Sequence, residues 1–178
     1  MKKLLIVTAC FSITAATAFG ITLQSAYEQC GPGEGYDKLL TLNPNVKYTG
    51  GCGVLMNKKS CIRGNGALID LEGNNILAGQ YSTELTVEGC CLVNAGYYGA
   101  VNVQDGATAI VNGNTICKTN GIAAIYVWIG CSATIKNNII YGSKTYGIAK
   151  HQSSGTVNIL YNDVENNLGG NYMYFCPG

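Results

Sequence analysis

Histidine, tryptophan, proline and charge are all scarce in this sequence. One histidine, one tryptophan and three prolines occur in 178 residues, and charged side chains make up 12%. With a single histidine and no cysteines at finger spacing, the chain has no ligand set for a structural zinc site. Eleven basic residues against ten acidic ones give a net charge of +1. No basic block is present to hold a phosphate backbone, which excludes nucleic acid as a partner. The longest apolar run, near the start, is too short and too threonine-rich for a membrane span.

Glycine, tyrosine and cysteine are plentiful instead, at 24, 12 and nine residues. Many glycines and asparagines with few prolines predict short strands joined by turns. The first residues read as a secretory signal. Lys2 and Lys3 are the basic start, Leu4 to Ala15 the apolar stretch and Ala16-Thr17-Ala18 the cleavage site, so residues 1–18 are expected to be removed. Cys10 in "VTAC" stands too early for a lipoprotein box. The mature chain is expected to be secreted or periplasmic, with no membrane span once the signal is gone. About 160 residues remain, enough for one domain with a sizeable core. They hold Cys30, Cys52, Cys61, Cys90, Cys91, Cys117, Cys131 and Cys176. An even number of cysteines in an exported chain predicts disulfides.

Internal repetition is the most informative pattern. Val87, Val111, Ile135 and Ile159 are 24 residues apart, as are Leu92, Ile116, Ile140 and Val164. Asn114, Asn138 and Asn162 form a third column at the same spacing. "IRGN" places Asn65 in that column, and Cys90 interrupts it. Each unit alternates apolar and polar residues over a few positions, as in Ala133-Thr134-Ile135-Lys136, and then carries a second apolar segment such as Ala123 to Val127. Helical repeats need apolar residues at i, i+3, i+4 and i+7 instead. Short strands joined by tight turns at this period form rungs of a parallel β-helix. The Asn column reads as a structural ladder, with asparagine tolerating a left-handed turn and its amide reaching the next rung.

These units, and "CIRGNGALIDLEGNNI" from Cys61 to Ile76 above all, resemble the right-handed parallel β-helix proteins of the pectate-lyase-like superfamily. The resemblance spans the mature chain and implies an all-β, right-handed solenoid of about six rungs. Residues 19–37 are expected to cover its N-terminal end, and residues 38–178 to form the solenoid with a short closing segment. Cys91 and Cys117 fall in adjacent rungs, so a Cys91–Cys117 disulfide is expected.

Alternation places Val87 and its column inside and leaves three columns outside. These contain Lys59 and Glu84; Thr86 and Thr134; and Arg63, Glu88, Asn112 and Lys136. The resemblance implies a carbohydrate enzyme's site on this sheet, with calcium beside a basic residue if the protein is a lyase. Arg63, Lys136, Glu84 and Glu88 are the candidates for such chemistry. Glu84 and Glu88 lie about 13 Å apart along one strand, too far for paired carboxylates in glycoside hydrolysis. The Asn-Thr-Asp, Asp-Asp, Gly-His-Gly and Arg-Ile-Lys motifs of polygalacturonases are absent, and His151 lies in "AKHQSSG". Stacked threonines such as Thr108 and Thr156 suggest an ice-binding face, but the charges of Lys59, Glu84, Glu88 and Lys136 break its regularity. Tyr126 and Trp128 alternate on one strand and share a face, a platform for a sugar ring. The expected function is therefore binding of a polysaccharide or surface glycan without catalysis or a cofactor. The alternatives are a lyase or hydrolase of acidic polysaccharide, and a structural module of a surface assembly.

Overall fold

A computed structural model describes residues 20–54, 58–80, 82–173 and 175–176. The expected signal peptide, residues 1–18, lies outside the described residues. The rest forms a parallel β-solenoid of about six turns, with three sheets wrapped around one core. Within a turn the chain visits the three faces in order. The first face contains Lys38–Thr41, Lys59–Arg63, Glu84–Glu88, Thr108–Asn112, Ser132–Lys136 and Val157–Leu160. The second face includes Leu68–Asp70, Cys91–Val93, Thr115–Cys117, Ile139–Tyr141 and Asp163–Glu165. The third includes Ile76–Ala78, Val101–Val103, Ala123–Val127, Tyr146–Lys150 and Gly170–Tyr172.

The sequence columns are the registers of the sheets. Ile62, Val87, Val111, Ile135 and Ile159 are successive partners on the first face, and Leu92, Ile116, Ile140 and Val164 on the second. Val87, Val111, Ile135, Leu92, Ile116 and Ile140 are all fully buried, each contributing roughly 1.5–3 kcal/mol by removal from water. At the turn from first to second face, Asn114 and Asn138 are 1% exposed. Two ladder amides reach forward one rung, Asn114 Nδ2 to Asn138 Oδ1 at 3.0 Å and Asn138 Nδ2 to Asn162 Oδ1 at 2.9 Å. Asn114, Asn138 and Asn162 each also donate back to a core strand, at the carbonyls of Val87, Val111 and Ile135.

The molecule departs from the repeat pattern at three points. Asn65 is not in the ladder; it is exposed at φ 51°. Its rung takes five steps from Arg63 to Leu68, where the next takes three from Glu88 to Cys91, and the extra residues bulge outward. Nor is the left-handed residue the ladder asparagine. It is the residue before it, at Gly89, Gly113, Asn137 and Tyr161.

The expected disulfides do not form. Cys30, Cys52, Cys61, Cys90, Cys91, Cys117, Cys131 and Cys176 are all free thiols. Cys91 is registered with Thr115, and Cys117 with Val93, so the expected Cys91–Cys117 pair is a diagonal one. Diagonal neighbours on a sheet lie about 7–8 Å apart, beyond disulfide reach.

The N-terminal end is closed by helix Leu23–Gln29, capped by Thr22, whose side chain accepts the Ser25 N–H. Leu23 and Tyr27 are its buried residues, and Tyr27 shares a 2.8 Å hydrogen bond with Ser60. Lys38 Nζ donates to the carbonyls of Tyr27 and Glu28 near the helix C-terminus, where a cation is favoured. At the other end Cys176 packs against the core and its thiol donates to Ile148 O, while Phe175 is 48% exposed.

Candidate functional site

The two groups of candidate residues occupy different faces. On the first face, a hairpin-like loop formed by the bridge between Gly33 and Tyr36 folds over the early rungs. Its turn residues Glu34 and Gly35 both have positive φ, as a tight primed turn requires. Arg63 is clamped between this loop and its neighbour strand, 2.9 Å from Glu34 Oε2 and 2.6 Å from Glu88 Oε1. Hydrogen bonding to Arg63 holds the Glu34 carboxyl below its ordinary range, and the two carboxylates push the guanidinium up. Arg63 is thus committed to two acids and has no lone pair to act as a base.

Glu84 sits at the far end of the strand that carries Glu88. Its register partner Lys59 instead lies over the Tyr36 ring, 5.5 Å from the centroid. Lys136 is three rungs from Arg63, about 14 Å, between Asn112 and Leu160 in its column. The four candidates therefore do not converge; only Arg63 and Glu88 meet. Among the described residues, no group of three or more His, Cys, Asp or Glu is placed to hold a metal ion. Cys61, which faces outward in this sheet, is fully buried beneath the loop. Burial first, and then the charge of Glu88, pushes its thiol up to about 12.

On the third face, Asn102, Tyr126 and Ala149 are successive partners in one outward column. Tyr126 and Trp128 are in contact on this face, Trp128 one residue past the end of the strand Ala123–Val127, but only Trp128 has accessible surface to offer. Tyr126 is 7% exposed, packed with Ala123 and Ala149, and its ring lies 4.8 Å from that of Trp128. Trp128 is half-buried, and its Nε1–H donates to Asn102 Oδ1 at 2.7 Å. Asn102 is 2% exposed, so the indole is hung from a buried acceptor and its ring plane is fixed. Tyr98 stands at 6.2 Å and 57° to Trp128, and Tyr97 packs edge-on against Tyr98.

The tilted pair Tyr98 and Trp128 opens onto a concavity of about 330 Å³ completed by Gln104, Asp105 and Ile129. Tyr98 is one of the aromatic residues that the sequence offers for sugar stacking, whereas Gln104 carries no such signal and Asp105 stands in no repeated acidic column. Tyr98 lies in a turn between two strands of its rung, and Gln104 and Asp105 follow a strand whose equivalents carry different side chains. A larger recess of about 460 Å³ beside the N-terminal helix is lined by Thr22, Gln24, Asn74 and Asn75 among others. It has no acid, base or aromatic ring and carries no comparable chemistry. His151, one rung beyond Trp128, accepts the Ser153 N–H through Nδ1.

No protein-family model, no curated protein and no solved structure matches the chain. No helix among the described residues is long and apolar enough to cross a membrane.

Proposed function

We propose that the protein is an exported solenoid that binds a polysaccharide or surface glycan on its third face without turning it over. The observation that carries this reading is the half-buried indole of Trp128, fixed by Asn102 and flanked by Tyr98 at a concavity. A fixed aromatic plane with nearby amide and carboxylate groups suits a sugar ring, which offers C–H bonds to the plane and hydroxyls to its rim. Export rests on the Lys2-Lys3 start, the apolar stretch after it and the Ala16-Thr17-Ala18 site.

A glycan array tests the binding reading. Hits that disappear in Trp128→Ala, with the fold intact by circular dichroism, support it; an array without hits overturns it. N-terminal sequencing of protein recovered outside the cytoplasm tests export, with cleavage expected after Ala18.

One observation favours a second reading, a structural module in a surface assembly. The second face exposes Ile139 and Tyr141, two residues apart on one strand, at 50% and 49%, apolar surface of the kind that marks interaction sites. An empty array together with self-association that is lost in Ile139→Lys would favour it.

A further inference from the structure

The lining of the Trp128 concavity has a sign. Tyr98, Gln104, Asp105, Trp128 and Ile129 supply its side chains, and neither lysine nor arginine is among them. Asp105 is exposed, and among the described residues it enters no ion pair. Its negative charge is therefore uncompensated within the site. Tyr98 and Trp128 both line the concavity, and aromatic rings attract a cation electrostatically over their faces. The indole N–H, the one strong donor on Trp128, is already spent on Asn102. An anionic sugar placed here would meet a carboxylate and two aromatic rings, and no cation to answer it. A protonated amine would be attracted by all three.

We infer that this site takes a glycan carrying free, protonated amines, and that it rejects uronate polymers. The inference rests on the glycan-binding reading above and specifies its substrate class. It runs against the acidic polysaccharide that the sequence resemblance implies.

The lone tryptophan makes Trp128 fluorescence a direct readout in the full-length mature protein. Four probes isolate the charge: β-1,4-linked oligomers of glucosamine, N-acetylglucosamine and glucose, which differ at C2, and an oligogalacturonate. At low salt the glucosamine oligomer is expected to bind about tenfold tighter than its two neutral counterparts, as a cation–π contact and an exposed charge pair together allow. The oligogalacturonate should bind weakest. Asp105→Asn should cut the preference for the amine to about threefold, since asparagine tolerates the φ of 55° at this position. Added salt should weaken the glucosamine oligomer alone.

Equal binding of all three neutral and cationic oligomers overturns the inference, as does tightest binding by the oligogalacturonate. A preference for the amine that is unchanged in Asp105→Asn overturns it too, by showing non-specific attraction elsewhere. If none of the probes alters Trp128 fluorescence while the array shows anionic hits, the substrate class fails and the glycan reading stands. If the array is also empty, the glycan reading itself fails.

Discussion

Asn138 Oδ1 accepts two hydrogen bonds from a single residue one rung earlier, the backbone N–H of Asn114 and its side-chain Nδ2, both at 3.0 Å. Asn162 Oδ1 does the same for Asn138, at 3.0 and 2.9 Å, and Asn114 Oδ1 receives the Cys90 N–H at 2.9 Å. Each amide therefore satisfies a backbone donor that the turn leaves without a sheet partner. The ladder is a chain of caps as well as a stack of side chains, and it ties each rung to the next in register.

Asn138→Ala should consequently cost about 2–4 kcal/mol, because it takes the acceptor from the buried Asn114 N–H and the amide donor from Val111 O. Guanidinium unfolding with an unchanged m-value checks it. Asn65→Gly, at an exposed left-handed position, should change stability by less than about 0.5 kcal/mol. Equal losses at the two positions would contradict the ladder as described.

What was legible in the sequence follows from what repeats. The 24-residue spacing of Val87, Val111 and Ile135 is the strand register itself, since rungs of equal length put equivalent side chains one above another. Where a rung changes length the reading slips, and Asn65 is misplaced for that reason. The cysteines misled because a cysteine count says nothing about angular position, and Cys91 and Cys117 are offset by two residues along the sheet. The clamp joins Arg63 to a loop ahead of the repeat, and Tyr98 meets Trp128 from a turn on the neighbouring rung rather than from an equivalent position, so no column could reveal either contact.

Tyr161 occupies the left-handed position that Gly89, Gly113 and Asn137 fill in earlier rungs, with φ 55°. Its ring is 86% exposed, so little packing offsets the strain of a bulky residue there. Tyr161→Gly should stabilise the protein by about 1 kcal/mol, seen as a higher unfolding midpoint. A loss of stability would mean that the ring makes a contact worth more than the strain.

The buried thiols set the alkaline limit of stability. Burial pushes Cys52, Cys61 and Cys90 up to about 12 from an ordinary 9.0. Above pH 9 the unfolded chain loses these protons while the folded chain keeps them, so stability is full below that pH and falls as pH rises toward 12. The limiting slope is about 1.4 kcal/mol per pH unit for each thiol. Urea midpoints measured at pH 8, 9.5 and 10.5 should fall progressively, and Cys52→Ala should flatten the decline. A flat profile to pH 10.5 would contradict this burial.

The loop over the first face is a removable cover. Tyr36 Oη donates to Thr86 Oγ1 at 3.4 Å, and Cys61 beneath is fully buried although its strand position points outward. In Tyr36→Ala, alkylation of Cys61 under native conditions should rise at least tenfold. Glu34→Gln should raise it too, since the ion pair with Arg63 no longer holds the turn. Because Arg63 keeps Glu34 ionised below the ordinary carboxylate range, acid should loosen the loop only as pH falls through that lowered value. Unchanged Cys61 reactivity in both variants would show that the neighbouring strands, rather than the loop, protect it.

Asn102 is a positioning residue for the proposed glycan platform. Its side chain never faces the ligand, being 2% exposed, yet its Oδ1 receives the Trp128 N–H at 2.7 Å. Asn102→Leu fits the apolar neighbourhood of Tyr126 and Ala149 but removes the acceptor, leaving the indole N–H unpaired and the ring free to turn. Loss of one such hydrogen bond costs about 1–3 kcal/mol, part of which appears as weaker binding because the ring must be ordered when the glycan arrives. Affinity for an array hit should fall about three- to tenfold, with the Trp128 emission shifted and its fluorescence anisotropy lowered even without ligand. Asn102→Asp, which keeps an acceptor at the same place, should restore the emission spectrum. A variant that weakens binding while leaving the emission and anisotropy of free Trp128 untouched would separate Asn102 from the indole and sink this role.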